Sequence, residues 1–243
     1  MSVAAIIPAR YASTRFSGKL LAKQTGKYLI QHVYEQVCRA GLIDSVLIAT
    51  DDEKIGRACD EFGAKWQMTR TDHVSGTDRI AEVAAELDAE IIVNVQGDEP
   101  EIEPGNIDCL IELLRSDKKA DMATLAAVFG PKEDVDNPNI VKVVTNRQGR
   151  ALYFSRWAIP YKRDKESERT VYKKHLGIYA YRKEALLKLS KLEPTPLELA
   201  EKLEQLRALE NELIIAVGEV EHSAAGIDTP EQYEEFVKRY NID

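Results

Sequence analysis

The chain has 243 residues, enough for one sizeable α/β domain with a small appended lobe. A hydrophobic fraction of 44% beside 30% charged residues is that of a folded soluble protein, and a net charge of -8 argues against a basic nucleic-acid surface. No apolar run approaches the roughly 20 residues of a membrane span, and the N-terminus lacks a basic, apolar leader. The reading is therefore of a cytoplasmic protein with neither nucleic-acid nor membrane partners.

In chain order, the apolar run 3–7 predicts a strand, followed by a long loop and an amphipathic helix over 29–40. Residues 46–49 read as a second strand, 52–62 as a helix opened by an acidic cap, 77–87 as a helix, 90–95 as a strand and 104–115 as a helix. This alternation predicts an α/β fold, a Rossmann-like, mostly parallel sheet with helices on both faces. The middle changes character. Residues 140–145 and 151–155 are short β-rich runs around the hairpin signal Asn146-Arg147-Gln148-Gly149, and strand resumes over 177–181 after a charged stretch. One domain over 1–243 with a small β-rich insertion at about 138–182 is expected. The chain ends with a helix over 196–210, a strand over 214–217 and a helix over 230–240. Cys38, Cys59 and Cys109 lack metal-type or paired spacing and read as buried structural thiols of a reducing compartment.

The loop after the first strand carries the chemistry. Arg10, Arg15 and Lys19 stand among small residues in Pro8-Ala9-Arg10-Tyr11-Ala12-Ser13-Thr14-Arg15-Phe16-Ser17-Gly18-Lys19. A loop leaving the carboxyl end of a first strand is where an open α/β sheet builds its ligand crevice. Forked arginines and a lysine point charge suit a polyphosphate. It is not a P-loop, because no Ser or Thr follows Gly18-Lys19. Asp98, in Gly97-Asp98-Glu99-Pro100 after a strand, suits a Mg²⁺ ligand or an ordinary turn. Asp228, in Gly226-Ile227-Asp228-Thr229-Pro230, suits the same ligand or a helix N-cap. Ser75-Gly76-Thr77 allow close backbone approach to a ligand and also read as a capped helix start.

These segments, with Thr69-Arg70-Thr71-Asp72-His73-Val74-Ser75-Gly76-Thr77-Asp78-Arg79, Asn94-Val95-Gln96, Ala151-Leu152-Tyr153-Phe154-Ser155-Arg156, His175-Leu176-Gly177-Ile178-Tyr179 and Leu203-Glu204-Gln205-Leu206-Arg207, resemble the cytidylyltransferases that activate 3-deoxy-manno-octulosonate (Kdo). They occur in the family order along nearly the whole chain. The resemblance implies a nucleotide-diphospho-sugar transferase fold and Mg²⁺-dependent transfer of CMP from CTP to a Kdo-type acid sugar, releasing pyrophosphate, for lipopolysaccharide biosynthesis. It implies catalytic roles for Arg10, Lys19, Asp98 and Asp228, with Asp98 and Asp228 on the metal. It places Pro8, Ala9, Arg10, Arg15, Lys19, Ser75, Gly76 and Thr77 on the nucleotide, and Gln96, Arg156, His175, Tyr179, Glu204 and Gln205 on the sugar. It also implies a homodimer formed through the β-rich region. His32 and His222 receive no role, and His73 reads as a hydrogen-bonding loop residue.

The chain departs from the family pattern at Ser17-Gly18-Lys19-Leu20, at Gly26-Lys27-Tyr28-Leu29 and at Ser223-Ala224-Ala225 before Asp228. These departures put the acceptor in question, with 8-amino-3,8-dideoxy-manno-octulosonate as the leading candidate beside Kdo. Transfer to another acid sugar such as a sialic acid, or a non-catalytic nucleotide-sugar sensor, are the competing functions. A sensor predicts a lost metal ligand, whereas both carboxylates are present.

Overall fold

The computed structural model describes residues 1–12, 15–131, 133–164, 171–221 and 226–240. In chain order the elements are β1 (Val3–Ala9), a single 3-10 turn (Lys19–Leu21), α1 (Leu29–Val37), β2 (Ser45–Thr50), α2 (Glu53–Glu61), β3 (Trp66–Met68), α3 (Gly76–Glu86), β4 (Ile91–Asn94) and α4 (Pro104–Ser116). There follow β5 (Met122–Val128), β6 (Lys142–Thr145), β7 (Ala151–Ser155), β8 (Lys173–Arg182), α5 (Lys183–Leu189), α6 (Pro196–Glu201), α7 (Gln205–Glu210), β9 (Ile215–Glu219) and α8 (Pro230–Tyr240). They pack as two compact units, residues 1–108 with 224–243, and residues 109–223.

In the first unit four strands pair in the order β3-β2-β1-β4, all parallel. Val3, Ala4, Ala5, Ile6 and Ile7 are buried on both faces, as a central parallel strand requires. From β1 the chain steps outward to β2 and β3, then returns to the other side of β1 as β4. Right-handed crossovers in both directions put α3 on the face opposite α1 and α2. Strand order therefore reverses between β1 and β4, and the loops leaving their carboxyl ends part to open a crevice. Pro8 sits where this parting begins. Ile6 is opposite Asn94, the last residue of β4, so at Pro8 no β4 partner remains to need its missing N–H.

In the second unit β5 is parallel to β9 and antiparallel to β8, while β6 and β7 form the expected hairpin and β6 touches β8 where Lys142 is opposite Lys174. Three expectations change here. The helix expected over 196–210 is two helices, because Lys202 adopts a left-handed conformation (φ 55) that ends α6. The strand expected from Gly177 begins at Lys173, inside the charged stretch. Cys38 is exposed at the end of α1, whereas Cys59 is buried and its thiol pushed up to about 12 by burial. His222 and Ser223-Ala224-Ala225 lie outside the described residues.

Candidate active site

The crevice at the β1/β4 parting is a cleft of about 300 Å³ lined by Pro8, Arg10, Arg15, Lys19, Ser75, Gly76, Gln96, Asp98 and Asp228, and by His73 and Arg79. A second cavity of about 240 Å³ in the first unit, lined by His32, Arg39, Phe236 and Tyr240 among others, holds none of the expected site residues. Ala9 is buried at the end of β1 and Thr77 in the first turn of α3, so neither side chain lines the cleft.

Main-chain geometry brings the two carboxylates together. Gly97 passes β1 so closely that a Cβ there would lie 3.0 Å from the Pro8 carbonyl oxygen, and only glycine lets Asp98 turn back over the strand end. The Ile227 N–H donates to the Asp98 carbonyl at 2.8 Å, placing Asp228 beside Asp98 although 130 residues separate them. Asp228 does not cap α8. Thr229 does so, its hydroxyl accepting from Gln232 N while the Gln232 side-chain Oε1 accepts from the N–H groups of Asp228 and Thr229. The Asp228 carboxylate is thereby left to face the cleft.

Lys19 joins the pair. Its ammonium donates to Asp98 Oδ2 at 2.5 Å, Ile227 O at 2.8 Å and Asp228 Oδ1 at 3.1 Å, which uses all three of its N–H groups. Gly18 (φ 65) provides the left-handed turn that starts this segment. Arg15 reaches Asp228 Oδ2 at 2.9 Å from an exposed position. Arg10 lines the cleft with no hydrogen bond or ion pair among the described residues, which leaves a fork of donors open to a ligand. Burial, with Asp98 adding to it, pushes the neighbouring Glu99 carboxyl up to about 8. Arg10, Arg15 and Lys19 against Asp98 and Asp228 leave this end of the cleft net positive by one charge, with Arg79 of the far wall paired to Asp51. Among the described residues no cluster of three metal-ligating side chains occurs, and Asp98 and Asp228 converge instead on one cation, the Lys19 ammonium.

The far wall is the start of α3. Ser75 and Asp78 form a reciprocal capping box, so the Ser75 hydroxyl serves the helix, and backbone at a helix N-terminus faces the cleft. Arg79 received no role from the sequence, whereas His73 is the hydrogen-bonding loop residue expected. Arg79 is buried, donating to Asp51 at 2.6 Å and to the Thr69 hydroxyl, which fixes the approach to Ser75. His73 contacts the Glu82 carboxylate. Burial would raise Glu82, but His73 and the Arg70 N–H hold it below its usual range. A charged residue in the buried stripe of α3 is the signal that points to Arg79.

Of the expected acceptor residues, Gln96 belongs to the first unit and the others to the second. His175 and Tyr179 are neighbours on β8, with ring centroids 5.5 Å apart, and Phe154 stands edge-on to His175. The His175 Nε2 pairs with the Thr124 hydroxyl at 3.0 Å, and burial pushes its imidazole down to about 3, keeping it neutral. Burial, then Tyr181 and Glu204, raises the Tyr179 phenol well above its ordinary range. Glu204 and Gln205 begin α7, with Gln205 buried. The Arg156 guanidinium donates to Glu201 O at 2.7 Å, Pro138 O at 2.9 Å and Lys202 O at 3.3 Å, which leaves two of its five N–H groups over among the described residues.

A cytidylyltransferase family model matches residues 4–219. A 3-deoxy-manno-octulosonate cytidylyltransferase of Geobacter metallireducens is 50% identical over 98% of this chain and 98% of its own length. The protein of that name from Pelobacter propionicus is 51% identical over 99% and 98%. A solved structure of CMP:2-keto-3-deoxy-manno-octonic acid synthetase complexed with CTP superposes with a TM-score of 0.95, at 42% identity, over 100% of this chain and 99% of that one. The chain is a nucleotidyltransferase and belongs to the cytidylyltransferase family, within the group named for 3-deoxy-manno-octulosonate.

Proposed function

We propose that this chain transfers the cytidylyl group of CTP to a hydroxyl of Kdo, or of its 8-amino analogue, for lipopolysaccharide biosynthesis. The observation that carries the reading is the meeting of Asp98, Asp228 and Lys19 beside an open Arg10 at the β1/β4 crevice. In the reaction a sugar oxygen forms a bond to the α-phosphorus as the α–β phosphoanhydride breaks and pyrophosphate leaves. Approach of that oxygen to a polyanion is repelled unless positive charge is already in place, and fixed cations supply it without reorganisation. Arg10 forks onto phosphate oxygens, and Arg15 adds a second cation at the rim. Lys19 orients the two carboxylates as well as adding charge. Asp98 and Asp228 would hold Mg²⁺, which supplies charge neutralisation and a fixed position for phosphate oxygens. The backbone at Ser75-Gly76 receives the nucleotide at the start of α3. In the second unit the two free N–H groups of Arg156 suit the sugar carboxylate, and neutral His175, Tyr179 and Gln205, with Glu204, suit its hydroxyls.

A homodimer through the second unit belongs to this reading. Leu152 on β7, Trp157 (77% exposed) and Tyr161 (80%) after it, Val171 before β8, and Leu197 and Leu199 on α6 are large apolar side chains left in water. A cytoplasmic place is supported by the free thiols, and among the described residues no helix is long and apolar enough to cross a membrane.

Pyrophosphate release from CTP with Kdo, 8-amino-Kdo and a sialic acid side by side, each with and without Mg²⁺, tests the whole reading. Turnover that needs Mg²⁺ and favours one of the two Kdo-type acids is expected. Preference for the sialic acid, or no turnover with any of the three, overturns it.

A further inference from the structure

Lys142 is completely enclosed, with 0% of its surface exposed. A lysine this deep ordinarily pairs with a carboxylate. Here the ammonium instead donates to three main-chain carbonyls, Ile140 O at 2.7 Å, Asn137 O at 3.1 Å and Arg156 O, and these saturate its N–H groups. Burial lowers its pKa, and Asp136, Asp134 and Glu201 oppose that from a distance.

The identity of those carbonyls gives the arrangement its meaning. One belongs to Arg156 itself, and the other two belong to the 137–140 turn. The Pro138 carbonyl of the same turn accepts from Arg156 Nη1 at 2.9 Å. Lys142 and Arg156 therefore grip one turn from two sides. Arg156 is also held by the end of α6: the Glu201 carboxylate accepts from Arg156 N at 2.9 Å and from the Ser155 hydroxyl at 2.6 Å, and the Glu201 and Lys202 carbonyls accept from the guanidinium at 2.7 and 3.3 Å. The adjoining Val141 carbonyl accepts from His175 N at 2.8 Å, so the turn also borders β8 at His175. Stability alone does not call for a charge here, since well-packed apolar residues commonly replace buried ionic groups without loss. What an ammonium does that they cannot is fix the direction of three carbonyls at once.

We propose that Lys142 is a positioning residue for the acceptor half of the reaction. Its ammonium holds the main chain of Arg156 and the 137–140 turn so that the two leftover guanidinium N–H groups meet the carboxylate of an acid sugar. The inference rests on the reading of Arg156 as the carboxylate-binding group.

The test is steady-state kinetics on the full chain, with each substrate varied at saturation of the other, for Lys142→Met, Arg156→Ala and the double variant. Lys142→Met raises KM for the acid sugar by about tenfold or more while KM for CTP stays within about twofold. On the Arg156→Ala background the same change adds little, because the two side chains act as one unit. Equal rises in both KM values, full additivity in the double variant, or an unchanged sugar KM overturns the proposal. Arg156→Ala alone separates the two ideas. If it leaves the sugar KM unchanged, the reading of Arg156 fails and takes the proposal with it. If it raises the sugar KM while Lys142→Met does not, only the proposal falls. Should Lys142→Met not fold, Lys142→Arg keeps the charge but not the three-carbonyl geometry. It must raise the sugar KM severalfold at constant CTP KM, and no rise overturns the proposal.

Discussion

Replacing Asp98 by Asn removes one negative charge with almost no change of shape. In the folded protein Asp98 Oδ2 accepts from Lys19 at 2.5 Å, with side chains 28% and 12% exposed. A charge-assisted bond contributes about 1.5–3 kcal/mol when well buried. Here solvent screens part of it, and Ile227 O and Asp228 keep hold of Lys19, so the stability loss is about 1 kcal/mol. On the proposed function the effect on the reaction is larger, because Asp98 is half of the carboxylate pair that orients the Lys19 ammonium and would hold Mg²⁺ beside the phosphates. Loss of one preorganised electrostatic group lowers turnover by about 10²–10³-fold, or about 2.7–4 kcal/mol. Pyrophosphate release at saturating CTP and acid sugar measures the second quantity, and thermal unfolding of the same preparation measures the first. A folded Asp98→Asn enzyme with near-normal turnover refutes the reasoning. So does a loss of turnover explained entirely by unfolding.

Other outcomes follow from packing and charge. Arg207→Met leaves the Glu198 carboxylate without its ion pair in a place where the side chains are 10% and 11% exposed, and costs about 3–5 kcal/mol in urea unfolding. A cost below about 1 kcal/mol contradicts it. Gly56→Ala puts a Cβ 2.6 Å from the Trp66 indole and destabilises by about 1–3 kcal/mol, read as a lower melting temperature. His175 has a folded pKa lowered from 6.5 to about 3, so the unfolded chain binds a proton that the folded chain refuses between those values. Stability therefore falls as pH drops through that window, by about 1.4 kcal/mol per unit from this group, and no further below it. His175→Asn shows a correspondingly shallower slope between pH 6 and pH 4.5, and equal slopes for the two proteins contradict the assignment.

Much of the first unit was legible because each of its signals was local. An apolar run followed by a cationic loop gave β1 and the crevice, and Asp52 and Pro230 marked the starts of α2 and α8 to within a residue. Elements without a local signal were missed. β5 (Met-Ala-Thr-Leu-Ala-Ala-Val) is buried along nearly its whole length and shows no alternation, so its alanines read equally well as helix. β3 is only three residues long, and α5 follows β8 directly, with no turn residues to announce it. The break at Lys202 needs a left-handed non-glycine residue, which propensity does not foresee. At the site, residue types and strand ends identified Asp98 and Asp228, but not that Lys19 lies between them. That contact depends on the Ile227–Asp98 main-chain bond, a long-range fact. No local signal sets Lys142 apart within the run 140–145, and its cage of carbonyls appears only once the 137–140 turn is folded.

The central claim is the bond that forms. A phosphorus NMR time course of this protein with CTP, Kdo and Mg²⁺ follows it directly. The account predicts that the three CTP resonances give way to one phosphodiester signal and inorganic pyrophosphate in equal amounts, and that nothing changes when the acid sugar is left out. Release of CDP and orthophosphate, or loss of CTP without a sugar-linked phosphodiester, would contradict it.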